Sequence, residues 1–225
     1  MTELLNAAFW LDIAFAVWET FYITVAATFF ALVLGIPLGV LLVVGEQGGV
    51  LPLPGWLMKL LNILVNLLRS IPFLILMILV FPLSRVILGT TVGTNATIVP
   101  LVVAAFPFVA RLIETCLREV DGGVIEAAQS MGASPLQIIV KVMLPESLPG
   151  LIANVTTALT TILGYSAMSG AIGGGGLGQI AISYGYYRYN TPVMLVAVAL
   201  LIVLVQIFQS VGTHLAVHCD KRLRK

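Results

Sequence analysis

Between Glu19 and Glu46 no side chain carries a charge, and comparable apolar stretches recur at about 57–81, 95–116, 148–171 and 193–214. Each exceeds the ~20 residues that cover ~30 Å of hydrocarbon at ~1.5 Å per residue. Water is a poor solvent for such a chain. Of its 225 residues 60% are hydrophobic and 9% charged, against about 25% charged in a soluble globular protein. Backbone groups in lipid must be satisfied within each segment, and nothing here alternates like a barrel strand. The expected fold is therefore an all-α membrane protein with five transmembrane helices, the first over 20–44, forming one transmembrane domain over 1–225.

Ahead of the first span, Leu4, Leu5, Ala8, Phe9, Trp10 and Leu11 suit a short helix lying at the interface. Met1 to Glu19 carries Glu3, Asp12 and Glu19 but no Lys or Arg, which argues against a cleavable signal. Five spans put the ends on opposite sides, and Lys221, Arg222, Arg224 and Lys225 place the C-terminus in the cytoplasm and the N-terminus outside. Threaded this way, eight of the eleven basic residues fall inside: those four with Lys59, Arg111, Arg118 and Lys141. Arg85 and Arg188 fall outside, and Arg69 lies within a span. The basic tail beside a membrane helix is read as a topology anchor or a contact with anionic lipid, not as a nucleic-acid site.

Cys116 and Cys219 fall on the cytoplasmic side and form no metal-ligand spacing, so both are read as packing residues. His214 and His218 share a helical face, but no carboxylate or Cys joins them, and they are read as helix-end histidines. No metal site and no cofactor is expected.

The loop over 121–147 is explained residue by residue. Glu126 to Met131 is helix-forming, Gly132 suits the left-handed conformation that ends a helix, and Ser134, Pro135 and Gln137 make an N-cap, a first helical position and a capping box. A second helix follows to about Leu144, and Pro145 and Pro149 interrupt the chain before the fourth span. Local chemistry alone fits a plain connector as well as a docking element.

Glu126-Ala127-Ala128, Gly132 and, after nine intervening residues, Val142-Met143-Leu144-Pro145 closely resemble in identity and spacing the cytoplasmic EAA loop of ABC import permeases, with Val142 in place of the usual Ile. That resemblance implies that the segment contacts a separate ATPase, with Glu126, Ala127, Ala128 and Gly132 at the interface and Ala133, Ser134 and Pro135 completing the docking turn. The chain has no Gly-x-x-x-x-Gly-Lys-Ser/Thr, so it does not cradle ATP in a P-loop and is not expected to be an enzyme.

Gly173-Gly174-Gly175-Gly176-Leu177-Gly178 contains a formal Gly-x-Gly-x-x-Gly match, but it follows a membrane span, lacks an acid about 20 residues later and falls on the outer side. It is read as a tightly packed or hinged turn, with a flexible linker as the alternative. Arg69 sits at membrane depth, where a charge costs roughly 2.5–3.5 kcal/mol, so it must face something other than lipid. Arg69-Ser70-Ile71-Pro72-Phe73 fits a helix lining a passage, because Pro72 frees backbone carbonyls; the alternative is that Arg69 snorkels inward or pairs with Glu114 or another acid. Arg111, Glu114 and Arg118 read as a self-paired end of the third span.

The fourth span carries Asn154, Thr156, Thr157, Thr160, Thr161, Tyr165, Ser166 and Ser169, so one face is buried against protein or water, and Ala158, Gly164, Ala167 and Gly170 allow close helix approach. Met168 is the candidate for an apolar gate, with Tyr165 and Ser166 beside it. Arg69-Ser70-Ile71-Pro72-Phe73 and Gly164-Tyr165-Ser166-Ala167-Met168 with the following glycines are similar to the methionine-importer permeases. The resemblance implies a homodimer in a bacterial inner membrane, working with two ATPase chains and a substrate-binding lipoprotein and carrying methionine by alternating access. Another amino acid or a small peptide remains open as substrate. A passive channel is disfavoured by the docking motif, and an intramembrane enzyme by the lack of a catalytic companion for Arg69.

Overall fold

The computed structural model describes residues 7–219. The expected positions Glu3, Leu4 and Leu5 and the basic tail Lys221, Arg222, Arg224 and Lys225 lie outside them. Among the described residues the chain is helical and forms no strand. Its long helices are α1 (Ala7–Val44), α2 (Gly55–Ser70), α3 (Phe73–Leu88) and α4 (Thr94–Arg118). A short α5 (Gly122–Ser130) and α6 (Pro135–Ile138) follow, then a π-helical stretch Ile139–Met143 and α7 (Leu144–Glu146). After α8 (Leu148–Ser169) come a short α9 (Gly176–Ile180), a second π-helical stretch Ala181–Tyr186 and α10 (Thr191–Cys219).

Among the described residues four helices are long and apolar enough to cross a membrane: Phe9–Val44, Thr94–Arg118, Leu148–Ile172 and Thr191–Cys219. The stretch expected as one span over 57–81 is not continuous; α2 ends at Ser70 and α3 starts at Phe73, and the two reach the length of a span only when joined. Pro72, with ψ at 135°, causes the break. It has no N–H to continue the ladder of α2 and pushes the preceding residue out of the helical region. The short interfacial helix expected before the first span is also corrected, because residues from Ala7 run without interruption into α1. Pro37 is tolerated inside that helix.

The chain divides into two compact units. One comprises residues 1–30, 71–105 and 159–209, and its core packs Phe9, Ile13 and Ala16 against Leu163, Leu177, Ile180 and Val193. The other comprises 31–70, 106–158 and 210–225, with Leu42, Met58, Val65 and Ala110 at its centre. Large apolar side chains such as Phe15, Phe29, Ile75, Leu79, Val86 and Leu195 stay outside these cores, each at least 60% exposed. Uncovered apolar surface on this scale needs a non-aqueous neighbour, which lipid supplies.

Candidate coupling loop and passage

The loop after α4 begins at Asp121, whose carboxylate caps α5 by accepting the Gly123 N–H at 2.7 Å. Gly132 ends the helical turn with φ at +78°, the left-handed conformation expected for it. The wrap-around bonds Gly132 N–H to the Gln129 carbonyl at 2.9 Å and Ala133 N–H to the Ala128 carbonyl at 3.1 Å close it. Gln137 then reaches back to the Ser134 N–H at 2.9 Å, making its half of the expected capping box. The second helix is not regular to Leu144. Pro145 has no N–H, and the ladder before it widens to a π-helical register in which the Leu144 N–H meets the Ile139 carbonyl.

Burial separates the loop's faces. Ala128 is 4% exposed, and Ile138, Ile139 and Met143 are buried as well, whereas Glu126, Ala127 and Gly132 are exposed. Ser134 is also exposed, and Ala133 and Pro135 are half-buried. Between them stand apolar side chains that the sequence reading passed over: Met131, Leu136 and Val140, 82%, 71% and 59% exposed. Their signal was an apolar residue on the solvent side of a short amphipathic helix.

Beside this loop the last turns of α4 carry a polar network. Glu114 accepts from Arg111 at 2.5 Å and from Arg118 at 2.8 Å, the self-pairing expected from their spacing. The network extends further, since Arg118 gives Glu46 two bonds at 2.9 and 2.5 Å. The hydrogen bonds from Arg118 hold the Glu46 carboxyl below the usual carboxylate range. Arg111 also donates to Asn62 at 2.7 Å and Asn66 at 3.0 Å on α2. Glu114 is thus occupied, and Arg69 forms no ion pair among the described residues; the alternative pairing of Arg69 with Glu114 is not made.

Arg69 is exposed in the last turn of α2, and the Ser70 hydroxyl donates to the Asn66 carbonyl at 2.7 Å. Pro72 immediately precedes α3, and Phe73 stacks on Tyr165 with ring centroids 4.3 Å apart. Along α8 most hydroxyls are satisfied by their own helix: Thr156 by the Ile152 carbonyl, Thr157 by Ala153 and Ser166 by Leu163. Ser166 is 3% exposed, so its side chain is turned into the protomer, whereas Met168 is half-exposed at 50%. Gly164, expected at a close approach, has open space where a side chain would stand; Ala158 is fully buried, and Gly170 lies against the Gln179 backbone. Ala153, Thr157, Gly164 and Met168 are each exposed on α8.

The glycine cluster is a tied turn rather than a linker. Glu19 accepts the Gly176 N–H at 3.0 Å and is also hydrogen-bonded by the Thr94 hydroxyl, while the Thr20 hydroxyl accepts the Leu177 N–H at 2.9 Å. Gly93 N–H meets the Gly173 carbonyl at 3.1 Å. Gly175 and Gly176 have φ of +80° and +71°, and a Cβ on Gly178 would lie 2.1 Å from the Ala167 carbonyl oxygen. Positive φ and this close approach both require glycine here.

The family model for the inner-membrane component of binding-protein-dependent transport systems matches residues 35–225. The chain belongs to that permease family. A probable D-methionine transport system permease protein MetI from Vibrio cholerae is 52% identical over 208 residues, covering 92% of each chain. Its counterpart from Pasteurella multocida is 44% identical over 213 residues, 95% of this chain and 98% of the relative. A solved chain of the MetNI methionine ABC transporter in inward-facing conformations superposes with a TM-score of 0.93 at 44% identity, covering 96% of this permease and all (100%) of that chain. As a family member the permease is a multi-pass inner-membrane protein, and its apolar helices are those the fold displays.

Proposed function

We propose that this permease is the transmembrane subunit of an ATP-driven methionine importer, working as a homodimer with two copies of a separate ATPase and a substrate-binding lipoprotein. The substrate assignment rests on relatives named for D-methionine transport and on the methionine transporter of near-identical fold. The observation that carries the coupling role is the exposed loop tip, where Glu126, Ala127 and Gly132 stand with the uncovered Met131, Leu136 and Val140. Small residues there allow close approach of a partner backbone, and the apolar side chains gain by leaving water. Ala133, Ser134 and Pro135 set the angle of that tip.

The proposed topology has five spans, with α2 and α3 together as the second, the N-terminus outside and the C-terminus inside, within one transmembrane domain over 1–225. Its support is the way the connections sort. Residues 45–54 and 119–147, the proposed cytoplasmic connections, belong to one compact unit, and 89–93 and 173–190, the proposed outer ones, belong to the other. Each crossing sends the next connection to the opposite face, so the first and third connections share one face and the second and fourth the other. Arg69, Ser70, Pro72, Tyr165 and Met168 are proposed to border the passage, with Met168 as the gate; Ser166 supports it from inside the protomer. Alternating access then follows from ATP-dependent closure of the ATPase pair, to the extent that ATP binds the two states with different affinity.

Reconstitution of the permease with its ATPase and binding protein in proteoliposomes tests this reading. Uptake of radiolabelled methionine that requires ATP and is competed by unlabelled methionine is expected. Uptake without ATP would point to a passive channel, and competition only by other amino acids would replace the substrate.

A further inference from the structure

We propose that the Arg118–Glu46 pair is the joint through which the coupling loop moves the first membrane helix, and that Glu46 is a positioning residue for the coupling of ATP hydrolysis to transport. This deepens the coupling role proposed above and rests on it.

Both arms of the loop are fastened to the end of α4. On the entry side only Glu119, Val120 and Asp121 separate α4 from α5. On the exit side the Cys116 thiol donates to the Ser147 carbonyl at 3.5 Å, and the Asn154 amide donates to the Leu112 carbonyl at 2.9 Å. Gly150 lies so close to Cys116 that a Cβ there would sit 2.6 Å from the sulfur. The loop and the last turns of α4 therefore form one mechanical piece, and a push on the loop tip is a push on α4.

Arg118 is the last residue of α4 and grips Glu46 across 72 positions of sequence with two hydrogen bonds. A forked guanidinium–carboxylate contact fixes direction as well as distance. Glu114, with a side chain 9% exposed, holds Arg118 from the other side at 2.8 Å. Glu46 belongs to the turn that closes α1: Gly45 N–H bonds back to the Leu41 carbonyl at 3.0 Å, and Leu53 N–H to the Gly45 carbonyl at 3.0 Å. Movement of Arg118 is thus handed to the end of α1.

The pair is half-exposed and is expected to contribute only modestly to the fold. The Arg118 and Glu46 side chains are 43% and 45% exposed, and ion pairs that open to solvent add little stability. A tie with little stabilising value and a fixed geometry is suited to transmission, and that separates this role from a structural one.

The test uses the whole transporter in proteoliposomes and reads methionine transported per ATP hydrolysed, alongside complex assembly and Tm. Glu46→Ala is expected to assemble with unchanged Tm and to hydrolyse ATP, but to lower the transport-to-hydrolysis ratio by about fivefold, the lower end of typical coupling between sites. Glu46→Asp, which keeps the carboxylate, should recover most of the ratio, and the neighbouring Gln47→Ala should leave it unchanged. Adding Glu46→Ala to Arg118→Ala should cause no further loss, because the two act through one contact. Gly132→Val in the loop serves as the reference for coupling itself. If Glu46→Ala keeps a normal ratio while Gly132→Val loses it, the joint is wrong and the loop's role stands. If both keep it, the coupling reading fails. If Glu46→Ala prevents assembly or lowers Tm as much as it lowers the ratio, Glu46 is structural and the proposal is overturned.

Discussion

Met168 shows how exposure within one protomer bears on function. Its side chain is half-exposed, and Gly164, one turn earlier, leaves open space beside it. A buried methionine cut to alanine leaves a cavity and costs about 2–5 kcal/mol, but this one has few protomer contacts to lose. Met168→Ala should therefore assemble normally and leak, with methionine efflux in the absence of ATP from loaded vesicles. Unchanged tightness, with a cysteine at 168 unreactive in every nucleotide state, would remove Met168 from the gate. Residues whose partners lie within one turn were legible in the sequence. Gly132, the Ser134–Gln137 bond and the Arg111–Glu114–Arg118 set all follow from spacing. Glu19 and Thr20 were not legible, because their partners Gly176 and Leu177 are 157 positions away and nothing local marks the pairing. The burial of Ala128 was hidden for the same reason: it depends on how the helical turns after α5 fold back against it.

The elements depart from the sequence reading where proline and continuity compete. Pro72 was visible as a source of freed carbonyls, yet the hydrophobicity running through 57–81 argued for one helix; backbone chemistry decided, and two helices result. The opposite happened at the first span, where an expected interfacial helix fused with α1, since nothing between Ala7 and Val44 ends a helix and Pro37 alone does not. Short α9 owes its place to tertiary bonds, as a five-residue helix (Gly176–Ile180) does not persist alone. Glu19 and Thr20 occupy its first N–H groups. Glu19→Ala should free the Gly173–Leu177 turn, with amide hydrogen exchange there rising by an order of magnitude or so while exchange in α4 is unchanged, consistent with local opening. Exchange no faster than in the parent protein would mean that glycine packing alone holds the turn.

At the scale of the molecule, each of the two compact units gathers its own set of connections, and broad apolar surfaces agree with a lipid surround. The membrane character was plain from composition and span length, since both follow from the hydrophobic effect without knowledge of packing. What composition did not reveal is that the loop tip is apolar and uncovered, a property of how α5 and the following helical turns fold on each other. Inside location of that tip and its occupation by an ATPase are the two halves of the central claim, and Ser134, exposed on the loop, reports both. In a background lacking Cys116 and Cys219, Ser134→Cys should react with a membrane-impermeant thiol reagent in inverted vesicles but not in intact cells, and bound ATPase should protect it. Labelling from the outside of intact cells, or labelling in inverted vesicles that the ATPase leaves untouched, would contradict the account.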